Sequence, residues 1–193
     1  NNLGNRLIVF SIMPRYEFNK HLSVSEHFSL SLVNTNENYY LPHQGVPHFV
    51  VDGLDENTTL ENFVQSQSSN LTFLQSDTRV SWQNRYGAHN IAVNGGVRYI
   101  SNDYTRTALS GYNSPNDKKP NMTTSLVFKT TGGADDQTRE ITWYALADYS
   151  LNERYYRNAG ISAQASSRFG ADISGGLKLF NTVWGFFPSV EEI

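Results

Sequence analysis

The chain contains no cysteine, which removes disulfide frameworks, thiolate metal sites and a cysteine nucleophile together. It has no apolar run approaching the roughly 20 residues that a membrane helix needs, so a helical membrane protein is excluded. A membrane barrel is not, because a strand needs only every second residue apolar to face lipid. An excess of one charge is also missing. Fifteen Lys and Arg against 18 Asp and Glu leave a formal net charge of -3, and nothing electrostatic argues for nucleic acid as a partner. Neither Gly132-Gly133 nor Gly175-Gly176 opens a helix, so no phosphate-cradling glycine loop is present. The opening Asn1-Asn2-Leu3-Gly4 is no signal peptide, as expected either of an exported protein that has lost its leader or of an internal fragment.

What the chain does have is alternation. Leu22, Val24, Phe28, Leu30 and Leu32 share one side of a strand, and Ser23, Ser25, His27, Ser29 and Ser31 the other, with Glu26 the lone acid on the apolar face. Successive side chains of a strand point oppositely, so this pattern builds one apolar and one polar wall. The same holds for Ile141, Trp143, Ala145, Ala147 and Tyr149 against Thr142, Tyr144, Leu146 and Asp148. After a turn at Leu151–Glu153, it returns in Ala159, Ile161, Ala163 and Ala165. Seven such staves are predicted, at about 6–18, 21–34, 77–86, 89–101, 138–150, 154–166 and 184–193. Short turns at Asn19-Lys20-His21, Gly87-Ala88-His89 and Leu151–Glu153 join them in pairs. Gly95 and Gly96 are expected to weaken their strand or mark a bend.

Periodicity fades between Thr35 and Ser76, which reads as one long loop holding a short helix over Leu60–Leu74 with Thr59 as its cap. It fades again from Asn102 to Gln137, read as a single external connection with a strand island at Thr124–Phe128. Alternation by itself suits a soluble or surface-anchored antiparallel sandwich as well as a transmembrane barrel. Length favours the barrel, since about 12 tilted residues cross an outer membrane, whereas sandwich strands more often run about 5–6. Tyr149, Tyr155 and Tyr156 crowd one turn, where a barrel places the aromatic girdle of its interface.

Three ordered motifs carry a resemblance. They are the turn from Tyr149 to Tyr155, the run Ser166-Ser167-Arg168-Phe169-Gly170, and Trp184-Gly185-Phe186-Phe187-Pro188-Ser189-Val190. Together they resemble the SusC/RagA family of TonB-linked outer-membrane transporters of Bacteroidetes. Phe186 stands where that family usually has Thr, and the chain reads Glu191-Glu192-Ile193 where the family continues with a small residue, Gly and Trp. The resemblance implies an all-β fold, a slice of a 22-stranded antiparallel transmembrane barrel with long external loops. Residues 1–193 would then be part of the barrel, without the plug domain or the TonB-contacting segment. It further implies a non-enzymatic role in nutrient uptake at the bacterial outer membrane, importing oligosaccharides or peptides. The implied partners are a SusD-like lipoprotein lid, the TonB complex acting through the plug, the rest of the barrel and the lipid bilayer.

Candidate chemistry is sparse. No constellation for catalysis, cofactor or metal is expected. His43 and His48 match no metal spacing, and Asp52, Asp55, Glu56, Asp135 and Asp136 lack the regular spacing of a calcium loop and read as solvated loop acids. The formal sequons at Asn57, Asn70 and Asn121 read as chance matches. Tyr39, Tyr40, Tyr104 and Tyr112 are the candidates for ligand contact, as loop aromatics whose rings stack on sugar faces. Arg79, Arg85, Arg98 and the serine row from Ser23 to Ser31 are expected to line the lumen or touch the plug.

Overall fold

The computed structural model describes residues 2–42, 60, 62–115, 126–168, 177–179 and 182–192. Among them are nine strands and no helix. In chain order they are β1 (Asn2–Ile12), β2 (Arg15–Glu17), β3 (Leu22–Leu41), β4 (Phe63–Tyr86), β5 (His89–Tyr112), β6 (Val127–Leu151), β7 (Tyr155–Ser166), β8 (Leu177–Leu179) and β9 (Thr182–Glu192). All belong to one sheet in the order β1-β3-β4-β5-β6-β7-β9-β8, with β2 also paired to β3. The sheet is a meander, each strand beside its chain neighbour until β8 folds back outside β9.

All seven predicted staves are present. β1 and β2 are halves of the first, separated at Met13-Pro14, where proline has no N–H to give a ladder. Glu26 N–H still donates to Pro14 C=O at 3.0 Å, so pairing to β3 survives the break. β8 was not foreseen.

Two expectations about loops are corrected. The helix over Leu60–Leu74 does not form: from Phe63 onward these residues are strand. The loops at 35–76 and 102–137 shrink as well, because β3 runs on to Leu41, β5 to Tyr112 and β6 begins at Val127. The described part of the Thr124–Phe128 island thus leads into β6. These extensions carry polar residues on both faces, so no hydrophobic period marks them, yet backbone pairing needs none. Asp135 and Asp136 are accordingly strand residues. Thr59, Thr124, His43, His48, Asp52, Asp55, Glu56, Asn57, Asn121, Phe169, Gly170, Gly175 and Gly176 lie outside the described residues.

The turns have local causes. Asn19 Oδ1 accepts from the N–H groups of His21 (2.8 Å) and Leu22 (3.0 Å), closing the first turn as an Asx motif. Gly87, at φ 59°, occupies the left-handed region that glycine enters without penalty. In the third turn Asn152 and Glu153 take φ 51° and 58°, and Arg154 N–H donates to Leu151 C=O at 3.1 Å. The backbone bonds from Gln83 N–H to His21 C=O and from Asn152 N–H to Ala88 C=O bring all three turns to one end of the sheet.

The chain forms two compact units. The first comprises Asn1–Ile8, Leu32–Leu71 and Asp103–Asp136. Here Asn34 Nδ2 donates to Asn70 Oδ1 at 2.6 Å and Asn36 Nδ2 to Asn34 Oδ1 at 2.7 Å, so the Asn70 sequon is a strand amide in a polar ladder. The strands are extended by Asn62, whose side chain exchanges two bonds with the Ser114 backbone (2.9 and 2.6 Å). Leu60, Val64 and Leu126 are buried. Gly111 leaves room for Leu126, whose Cβ lies 3.0 Å from where a glycine-replacing Cβ would sit.

The second unit comprises Val9–Ser31, Thr72–Asn102 and Gln137–Ile193, and here the walls differ. Ile141, Trp143, Ala145 and Ala147 on β6 stand across from Ala165, Ala163, Ile161 and Ala159 on β7. β7 in turn sets these alanines and Ile161 against Trp184, Phe186, Pro188 and Val190. One wall is therefore apolar over three consecutive staves, and it is uncovered: Trp143 is 53% exposed, Ile161 53% and Phe186 48%. Among the described residues, Ala165 is the sole buried apolar side chain of this unit. A two-sheet sandwich would bury this wall against its second sheet; here a single sheet shows it to the surroundings.

Candidate functional site

The polar wall of the second unit is where charged groups converge. Asp77 on β4 has a side chain only 7% exposed and holds Arg98 of β5, with Nε at 2.9 Å and Nη2 at 2.8 Å from Oδ2. The other carboxylate oxygen accepts from the Tyr144 hydroxyl at 2.7 Å. Tyr144 belongs to β6, two strands away, so its ring must lie flat across β5 to reach. The residue beneath it explains how: a Cβ on Gly96 would sit 2.5 Å from both Cζ and the hydroxyl oxygen of Tyr144. Gly96, inside an unbroken β5, is the seat of the ring.

Arg79 completes the group, donating from Nε to the Tyr144 hydroxyl at 3.2 Å with its guanidinium 5.9 Å from the ring centroid. Nearer the turns, Ser81 donates to Asn94 at 2.7 Å and Asn90 to Ser150 at 3.2 Å. Beside the turns the same wall is hollowed into a cavity of about 480 Å³, lined by His21, Gln83, Asn90, Asp148, Ser150 and Asn158 among others. Of the predicted lumen residues, Arg79 and Arg98 meet around Asp77. Arg85 goes elsewhere, bonding Gly87 C=O (3.2 Å) and the Glu153 carboxylate (3.4 Å) beside the turns. Ser23 to Ser31 keep the alternation expected of them, and on their wall Ser11 meets His27 at 3.3 Å.

Glu26 behaves differently. It sits on the apolar side of β3 and accepts from Ser76 at 2.7 Å and from Thr78. Two hydroxyls on the neighbouring strand satisfy its carboxylate, which is how an acid is tolerated on such a wall.

In the first unit, the four candidate aromatics are strand residues, not loop residues: Tyr39 and Tyr40 lie just before Leu41, the last residue of β3, and Tyr104 and Tyr112 belong to β5. Tyr39 and Tyr112 are brought together by a ring the sequence reading missed. Phe63 lies 6.1 Å from Tyr39, edge-on, and 5.0 Å from Tyr112. Tyr40 falls on the opposite face of β3 by alternation, and Tyr104 lies eight residues before Tyr112, so neither joins the trio. The missed signal is arithmetical. β4 and β5 are both 24 residues long, so counting outward from the Gly87-Ala88 turn places Phe63 opposite Tyr112. Two positions on from Tyr104 in β5, Arg106 Nη2 donates to Gln67 Oε1 at 2.7 Å.

No family model matches this chain, and no curated protein matches it. Among solved structures it is similar to the RagAB peptide transporter, with a TM-score of 0.76 at 14% identity over 98% of this chain and 20% of that one. The fold is one a peptide transporter uses. Similarity extends to the RagAB peptide importer in its open-open and closed-closed states, each with a TM-score of 0.68 at 15% identity over 97% of this chain. The chain spans about one fifth of the length of the solved chains it matches. These neighbours are structures of a peptide transporter.

Proposed function

We propose that the chain is a wall segment of a TonB-dependent outer-membrane transporter of the SusC/RagA type, importing peptides or oligosaccharides beneath a SusD-like lipoprotein lid. The observation that carries this reading is the uncovered apolar wall of the second unit. Side chains such as Trp143, Ile161 and Phe186 are exposed on one face, while Asp77, Arg98, Arg79 and Tyr144 are linked on the other. Lipid outside and a wet lumen inside demand that division. The three tight turns then lie on the periplasmic side, and the longer connections face outward. The hollow near the turns is a fit for the plug, and Tyr39, Phe63 and Tyr112 form an aromatic group suited to contact with ligand or lid.

The test is fractionation of the full-length protein in its own cells. Recovery in the outer membrane, with heat-modifiable mobility on gels and co-purification of a surface lipoprotein, supports the reading. A protein that stays soluble and monomeric without detergent would sink it. Growth on defined peptides or on defined oligosaccharides, with and without the gene, then separates the two substrate classes.

A further inference from the structure

The apolar wall ends, at the turn end of the second unit, in a row of different chemistry. His89, which opens β5, shares the wall of Ile91 and Val93 by alternation, and its Nδ1 lies 2.7 Å from the Tyr149 hydroxyl. Tyr149 stands directly across from Arg157 of β7, and His89 and Arg157 are both exposed. Tyr86 of β4, 57% exposed, flanks the row on one side, and Tyr155, 66% exposed, lies two residues below Arg157. Four neighbouring strands thus present Tyr, His, Tyr and Arg at one level, with Glu192 of β9 in register beyond Arg157, just below Ala147 and Ala159, where the apolar stripe stops.

The His89–Tyr149 bond has a useful property. If the tyrosine hydroxyl donates to Nδ1, the ring carries its proton on Nε2; if Nδ1 donates to the hydroxyl, the tyrosine proton is free to point away. In either tautomer the pair keeps one N–H or O–H donor to give. A donor beside a guanidinium suits an anionic oxygen, and guanidinium groups pair with phosphate through parallel N–H bonds. The aliphatic wall immediately above suits acyl chains. We propose that this row is a binding site for a phospholipid headgroup, with the phosphate at Arg157 and the His89–Tyr149 pair and the acyl chains along the Trp143–Ile161 stripe.

The proposal rests on the membrane reading above, and the experiment separates the two. Full-length protein is first recovered in the outer-membrane fraction; its absence there would overturn the transporter reading itself. The extracted protein is then analysed by native mass spectrometry for retained lipid, and by binding to vesicles of phosphatidylethanolamine with phosphatidylglycerol. Arg157→Gln and Tyr149→Phe should each reduce retained phospholipid at least threefold while keeping heat-modifiable mobility, and Arg157→Lys should retain most of it. Arg106→Gln, in the first unit, is the control and should leave retention unchanged. Equal retention in wild type, Arg157→Gln and Tyr149→Phe overturns the proposal. So does occupancy by inorganic phosphate alone that vesicles do not compete away.

Discussion

The two units set side by side show what alternation does and does not report. In the second unit, Trp143 and Ile161 lie on one wall and Tyr144 and Asp77 on the other, and the chemical contrast makes every strand but the three-residue β8 visible in the sequence. In the first, Asn34 meets Asn70 on one wall while Gln67 meets Arg106 on the other, and the contrast disappears although the strands β3 to β6 do not. Hydrophobic period therefore marks where a strand faces two different solvents, not where a strand exists.

The sharpest way to break that comparison is to erase the contrast. Trp143→Arg places a cation on the exposed apolar wall; with that wall against lipid, as proposed, the expected cost is about 2–4 kcal/mol. Thr131→Arg, in the first unit, should change stability by less than about 0.5 kcal/mol, as surface substitutions do. Denaturant titration of the protein folded into vesicles checks both, and equal effects would deny that the two units meet different surroundings. Gly96→Val comes next. Its Cβ would collide with the Tyr144 ring and with Thr78 C=O at 2.6 Å, a clash expected to cost about 1–3 kcal/mol. Gly95→Ala meets nothing closer than 3.7 Å and should be nearly neutral in the same titration.

Smaller effects probe the polar wall and the turns. Asp77→Asn removes the charge that Arg98 holds while keeping the shape, and should cost about 1–2 kcal/mol, part of it recovered in the double variant Asp77→Asn with Arg98→Gln. A double-mutant cycle measures that coupling, and additivity would show the pair to be idle. Glu153→Gly should be stabilising by about 0.5–1 kcal/mol, because glycine takes φ 58° without the Cβ penalty that glutamate bears. The exposed contact with Arg85 that it gives up is weak, and a higher midpoint on refolding gels is the expected readout.

The staves and their turns were legible because they rest on local chemistry: the Asn19 side chain, the φ of Gly87, and alternation such as Leu22 to Leu32. The long polar extensions were not, since Phe63–Gln75 and Val127–Gln137 owe their conformation to partners across the sheet. β8 is three residues long, too short for any period. Within the site, the polar wall was read correctly as a wall, but the meeting of Asp77, Arg98 and Tyr144 joins residues up to 67 positions apart. The packing role of Gly96 was not legible for the same reason, as it lies against a ring from another strand. The aromatic candidates were chosen as loop residues. Two of them converge only because Phe63, assigned to a helix, turns out to lie between them.

The tyrosine that crosses β5 has one more consequence. On that wall β5 presents Asn94, Gly96 and Arg98 in succession, and only the middle position has no side chain. A shift of one residue between β5 and β6 turns every side chain to the wrong face. A shift of two, which preserves the faces and which alternation alone would permit, puts an amide or a guanidinium beneath the ring. Gly96 and Tyr144 therefore work as key and slot, allowing one alignment of three staves and rejecting its nearest competitors.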